Sequence, residues 1–171
     1  MGLTPLEGLV MGTRSGDLDP AVLQYISHKE GTTIDDLLTM LNKESGMLGV
    51  SGVSSDFRDV RKADNEGNHR AKVANEMFVY RTAKYIGAYT AAMNGVDAIT
   101  FTAGLGENDG QMRSLICDHL GYLGVKIDPD RNKIKGKEAL ISTDDSKVKV
   151  YVLPTNEELS IAQQTLELVQ R

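Results

Sequence analysis

The run Asp97-Ala98-Ile99-Thr100-Phe101-Thr102, continued by Ala103-Gly104-Leu105-Gly106-Glu107-Asn108, decides the fold class. Its first half is short, apolar and rich in β-formers, the pattern of a buried strand. Its second half breaks into glycines as a loop over 103–107. Asn108 with Gln111 three residues on then has the spacing of a capping box, which predicts a helix to about Leu120. Further on, 125–127 and 139–142 read as two weak strands, and the alternating Val148-Lys149-Val150-Tyr151-Val152-Leu153 as a stronger one. Pro154 ends that strand and Thr155 starts a last helix, with Leu159, Ala162, Leu166 and Val169 on its core face. Strand, glycine loop, helix, small strands, strand and helix make an α/β arrangement. In such sheets ligands gather off the carboxyl ends of the strands. Two places qualify, 104–108 after the first strand and 154–158 after the last.

Working upstream, the pattern turns helical. Residues 1–18 read as a loop, with Gly8, Gly12 and Gly16 around Arg14 in a flexible stretch. Asp19-Pro20 opens a helix that Gly31 closes. Thr32 or Thr33 caps the next, with Asp35 or Asp36 three residues on, and it ends near Ser45-Gly46. Residues 46–55 read as a second glycine-rich connector. A helix follows from Asp56 to about Asn65, and the longest runs from near Asn68 to Asn94-Gly95. Ala74, Phe78, Tyr85, Tyr89 and Ala92 form its core stripe. No repeat, linker or composition shift marks a boundary, so 1–171 reads as a single domain.

The chain of 171 residues carries 19 Lys and Arg against 24 Asp and Glu, a net charge of −5. That acidity argues against nucleic-acid or anionic-membrane partners. Mean hydropathy is −0.27, and no apolar run is long enough to span a bilayer. One cysteine, Cys117, allows no internal disulfide. With no signal pattern at the start, the expected location is cytoplasmic. Cys117 and three scattered histidines give no zinc-ligand spacing.

The residues that could carry chemistry each admit two readings. Gly104, Leu105, Gly106, Glu107 and Asn108 could turn backbone N–H groups toward a nucleotide phosphate, or form a plain tight turn. Their spacing is neither the dinucleotide fingerprint nor the P-loop. Thr155 and Glu158 fit a capping box, which explains Glu158. Glu157, one residue off the box, is free to offer oxygen to a hard cation such as Mg²⁺. Arg14 could clamp a phosphate or carboxylate with its planar fork, or be an ordinary loop arginine. Asp56, Phe57 and Arg58 set a carboxylate, a ring and a guanidinium side by side. They suit a ribose and an adenine, and equally a helix cap with a core ring.

Five ordered stretches together resemble the acetate kinase family. They are Met1-Gly2-Leu3-Thr4-Pro5-Leu6-Glu7-Gly8-Leu9-Val10-Met11-Gly12-Thr13-Arg14-Ser15-Gly16-Asp17, Ser45-Gly46-Met47-Leu48-Gly49-Val50-Ser51-Gly52, Asp56-Phe57-Arg58-Asp59, Phe101-Thr102-Ala103-Gly104-Leu105-Gly106-Glu107-Asn108 and Pro154-Thr155-Asn156-Glu157-Glu158-Leu159. The resemblance covers essentially the whole chain. It implies an RNase H-like half of the sugar kinase/Hsp70/actin-type ATPase fold, here with an incomplete sheet. It implies reversible phosphoryl transfer between ATP and acetate, giving ADP and acetyl phosphate, with Mg²⁺, in a homodimer. Arg14 then lies at the transferring phosphoryl group and Glu157 helps hold Mg²⁺. Asp56, Phe57, Arg58 and residues 104–108 surround the nucleotide.

The chain looks like the C-terminal portion of such an enzyme's nucleotide-binding domain. A phosphate loop, a second arginine, an aspartate and a histidine of the family have no counterpart here. The chain alone is therefore expected to be inactive, and the choice among acetate, propionate and butyrate is not encoded in it. A noncatalytic nucleotide-binding or dimerisation module is the reading from another class.

Overall fold

A computed structural model describes residues 1–170, and these divide into two compact units, the first of residues 1–89 and the second beginning at Thr90. The division falls inside the longest helix. No change of composition announces it, because a helix crosses the boundary without a loop.

The first unit is helical. α1 (Ala21–Glu30) is closed by Gly31 in the left-handed conformation, as expected. Its start is shifted by one residue: Pro20 holds the cap position, while the Asp19 carboxylate accepts from the Ala21 N–H at 2.9 Å. α2 (Ile34–Lys43) is capped by Thr33, whose hydroxyl oxygen accepts from Asp36 N–H at 3.2 Å and whose O–H donates to the Asp36 carboxylate at 2.7 Å. α3 (Gly46–Ser51) lies where a connector was expected. Three glycines in that region cost helix propensity, but tertiary hydrogen bonds from its first turn outweigh the loss. α4 (Phe57–Asn65) and α5 (His69–Ala92) complete the helices. Val10, Leu37, Leu41, Met47, Val60, Ala71, Ala74, Phe78 and Val79 are buried. The α5 stripe is core only at its start: Ala74 and Phe78 are buried, Tyr85 is half-buried, and Tyr89 and Ala92 are exposed.

The second unit is built on a three-stranded sheet of order β1-β3-β2. β1 (Ala98–Phe101) runs parallel to β3 (Lys149–Val152), and β2 (Ala139–Leu140) runs antiparallel to it. The register pairs Phe101 with Val152. The expected strand at 125–127 is reduced to a single bridge between Ile127 and Ser142. α6 (Ala103–Asn108) and α7 (Gly110–Asp118) follow β1, and α8 (Glu157–Val169) follows β3. Phe101, Met112, Ile116, Leu120, Ile141, Val148, Val150 and Val152 are buried. Cys117 is buried too, and desolvation pushes its thiol up to about 12, so it is no nucleophile.

α8 departs from expectation. Its apolar stripe exists, yet no residue of the helix is buried, and Leu159 and Leu166 are 52% and 56% exposed. Periodicity identifies an apolar face, and it does not say what covers that face.

Candidate functional site

β1 and β3 are adjacent and parallel, so their carboxyl ends open side by side. Leu153 N–H donates to the Phe101 carbonyl at 3.0 Å and extends that pairing past the strands. The two places selected from sequence in this unit are therefore brought together. The Glu107 carboxylate accepts from the Thr155 N–H at 2.9 Å and from its hydroxyl at 3.2 Å. This bond ties α6 to the approach of α8.

Residues 103–107 are not the expected loop. They form α6, a short helix entered through Ala103 at φ +59, an uncommon conformation for a residue with a Cβ. The Asn108 amide donates back to the Gly104 carbonyl at 2.9 Å, so Asn108 belongs to α6 and does not cap α7. Asp109 caps α7 instead, accepting from Met112 N–H at 2.9 Å. The box predicted at Asn108 is thus displaced by one residue. The same displacement occurs at α8. Asn156, not Thr155, is the cap, accepting from Leu159 N–H at 3.0 Å, because Thr155 is engaged with Glu107.

Glu157 stands exposed in the first turn of α8. Among the described residues no group of three or more His, Cys, Asp or Glu side chains forms a metal cage. A single carboxylate suits Mg²⁺, which commonly takes one or two protein oxygens and completes its shell with water and phosphate. Glu157 fits that requirement.

Beneath α6 lies a residue that the sequence reading missed. Arg113 is 0% exposed. Its Nε donates to Asn132 Oδ1 at 2.8 Å and its Nη1 to the Gly106 carbonyl at 2.7 Å. Its Nη2 donates to the carbonyls of Asn132 and Ile134 at 2.7 and 3.0 Å. Burial pulls its pKa below the ordinary arginine value, and the charge of Asp109 opposes that shift. One signal was available: Arg113 shares a helical face with Cys117 and Leu120, both buried.

In the first unit, the stretch around Arg14 is fixed rather than flexible. Ser15 N–H donates to the Leu41 carbonyl at 3.0 Å, and Ser45 N–H to the Thr13 carbonyl at 2.9 Å. The first-turn N–H groups of Met47 and Leu48 donate to the carbonyls of Met11 and Gly12, each at 2.9 Å. Gly46 makes this possible. It sits at φ +62, and a Cβ there would lie 2.2 Å from the Met11 carbonyl oxygen and 2.7 Å from that of Arg14. Only glycine fits. The far end of the stretch is held by Asp17, whose carboxylate accepts from Gly8 N–H at 2.6 Å and from the Tyr85 hydroxyl.

Arg14 faces a cavity of about 680 Å³ lined by Gly12, Thr13, Asn42, Lys43 and Ser55 among others. Its Nη1 contacts the sulfurs of Met1 and Met11 at 3.6 and 3.8 Å, weak acceptors that leave its hydrogen-bonding capacity largely unspent. Two cations (Arg14 and Lys43), the hydroxyls of Thr13, Thr39 and Ser55, and the Asn42 amide around one cavity suit an anion.

At 56–58 both readings find their geometry. Asp56 caps α4, its Oδ1 accepting from Arg58 N–H at 2.8 Å, and Phe57 packs edge-on against Phe78 with centroids 4.7 Å apart. The Arg58 guanidinium pairs with Asp56 at 2.5 Å and holds that carboxyl down at about 2. Arg58 is otherwise outside the fold, its side chain 90% exposed.

The family model of the acetokinase family matches residues 1–163. The acetate kinase of Agathobacter rectalis is 64% identical over 170 residues, covering 99% of this chain and 43% of its own. That of Lachnoclostridium phytofermentans is 59% identical over 169 residues, with shares of 99% and 43%. The crystal structure of Porphyromonas gingivalis acetate kinase superposes with a TM-score of 0.92 at 48% identity, over 99% of this chain and 43% of that one. A propionate kinase structure from Francisella tularensis gives 0.88 at 44% identity, over 95% and 41%. The chain thus spans less than half the length of these relatives. Those shares establish a portion and not its position, so the C-terminal placement expected above is not borne out by them. The α/β class, with its small three-stranded sheet, is that of the acetate kinase structures. By its sequence over residues 1–163 and by its fold, this chain belongs to the acetokinase family.

Proposed function

We propose that the chain is part of an enzyme that transfers the γ-phosphoryl group of ATP to the carboxylate of acetate, reversibly, giving acetyl phosphate and ADP. The observation that carries this reading is the junction of α6 and α8 through Glu107 and Thr155, at the carboxyl ends of two parallel strands. Residues 104–108 hold the nucleotide phosphates there. Asp56, Phe57 and Arg58 contribute to the adenosine side. Glu157 gives an oxygen to Mg²⁺, which when bound offsets charge on the phosphate oxygens.

Arg14 binds the transferring phosphoryl group. In the step itself an acetate oxygen forms a bond to the γ-phosphorus while the bond to the ADP oxygen breaks. Charge spreads over the equatorial oxygens, so the protein's task is positioning and charge compensation. Acetate is ionised at neutral pH and needs no general base. The second unit holds its ligand off the strand ends, and the first offers Arg14 and Lys43 around its own cavity.

Propionate as the acyl acceptor is a second reading, favoured by the likeness to the propionate kinase structure. Self-association into a homodimer accompanies either. The test is formation of acyl phosphate, trapped as hydroxamate, by the full-length protein with ATP, Mg²⁺ and acetate, propionate or butyrate in turn. Product with acetate supports the first reading, and product with propionate alone replaces it. The 171-residue chain by itself is expected to give none.

A further inference from the structure

The second unit buries a full positive charge where an apolar side chain would cost less. Arg113 has no exposed surface, and its four hydrogen bonds all go to neutral oxygens, three of them backbone carbonyls. Removing a guanidinium from water carries a large penalty, which only complete and well-directed bonding offsets. A methionine of similar volume would fill the space without that penalty. The bonds therefore supply something other than bulk, namely direction.

The partners show what is being directed. Gly106 lies in α6, with its Cα side packed against Phe101, where an added Cβ would sit 3.2 Å from the Phe101 carbonyl carbon. Its carbonyl points inward to Arg113. Asn132 braces the guanidinium from the far side, and its own amide donates to the Gly110 carbonyl at 2.7 Å and to the Ser114 hydroxyl at 2.8 Å. Gly110 permits this approach, because a Cβ there would come 2.6 Å from the Asn132 carbonyl oxygen. One rigid planar fork thus joins α6, α7 and the 131–134 turn. Lysine, a single point donor, cannot reach the same acceptors together.

We propose that Arg113 is a positioning residue for the nucleotide: by fixing the inward direction of the Gly106 carbonyl it sets the backbone of residues 103–108 that meets the phosphates. The inference deepens the reading of the site given above and rests on it. Arg113 touches no reacting atom.

The experiment compares the full-length protein with Arg113→Lys and Arg113→Met. The KM for MgATP is expected to rise about ten-fold in Arg113→Met and less in Arg113→Lys, with kcat and the KM for acetate nearly unchanged. Amide hydrogen exchange is measured on the same proteins without nucleotide, and faster exchange is expected in residues 103–110. A merely structural residue would lower the amount of folded protein and leave the nucleotide KM of the folded fraction alone. Equal KM values for MgATP, or unaltered exchange at 103–110, overturn the proposal. Should Arg113→Met not fold, Arg113→Lys with both readouts decides it alone. A wild-type protein that shows no dependence on nucleotide overturns the functional reading instead, while the exchange result still tests the link from Arg113 to α6.

Discussion

Glu107 accepts two hydrogen bonds from one residue, the N–H and the hydroxyl of Thr155, across 48 positions of sequence. This carboxylate fastens together the two segments that follow the parallel strands. Glu107→Ala should therefore loosen both at once. Removing an ionised acceptor from a half-exposed pair is expected to cost about 1 kcal/mol. Thr155→Val removes only the longer bond and should cost less. Urea midpoints of the two variants check the order, and a larger loss in Thr155→Val would refute the assignment.

Arg14 carries a sharper expectation. Its contacts to two thioethers contribute little to the fold, so Arg14→Ala should leave the melting temperature nearly unchanged. If it compensates charge on the phosphoryl group, kcat of the full-length protein falls on the order of 10³-fold. Arg14→Lys keeps the charge, loses the fork, and recovers only part of the rate. Activity within ten-fold of wild type in Arg14→Ala would remove Arg14 from the site.

Gly46→Ala tests the scaffold behind Arg14. The added methyl meets the backbone oxygens of Met11 and Arg14 rather than a movable side chain, in a left-handed conformation. A loss on the order of 3 kcal/mol is expected. Gly31→Ala is the control, since that glycine is also left-handed but has open space around it, and it should cost about 1 kcal/mol. Comparable losses at the two positions would show that the close approach at Gly46 is unimportant.

The bond between Asp17 and Tyr85 predicts a pH dependence at both ends. Hydrogen bonding to Tyr85, then to Gly8 N–H, holds Asp17 below the usual carboxylate value. The unfolded chain therefore binds the proton more readily, and this part of stability is present above the unfolded pKa and lost as acid titrates the folded carboxylate. The same bond raises the Tyr85 hydroxyl to about 12. That contribution is complete below the unfolded value near 10 and is lost as pH rises toward 12. Tyr85→Phe should flatten both limbs of a plot of melting temperature against pH. Limbs identical to wild type would show that the bond is not formed in solution.

Much of this was legible in the residues themselves. Gly31 and Thr33 act where their chemistry placed them, and β1 and β3 lie within the stretches read as strands. The two candidate places, 104–108 and 154–158, could be picked out because strand ends and glycine-rich turns are local patterns. What escaped depends on partners distant in sequence. α3 and α6 are helical in spite of their glycines because carbonyls of other segments and a buried arginine hold them. Thr155 lost its cap to Asn156 because Glu107 claims it. Arg113 went unnoticed because nothing in its neighbours announces that Gly106, Asn132 and Ile134 will converge on it.

The parallel pairing of β1 with β3 also has a consequence in time. Ala98 pairs with Lys149, so the sheet closes a loop of about fifty residues, an entropic cost of roughly 3–4 kcal/mol before any ladder bond is gained. Helices such as α2 and α7 close within a turn and can form early. On the ribosome, β1 must wait roughly 3–10 s for its partner strand to be made at ordinary elongation rates. Through that interval Phe101 and Ile99 lack their neighbour. The two strand ends, and the Glu107–Thr155 junction beyond them, can meet only after that interval.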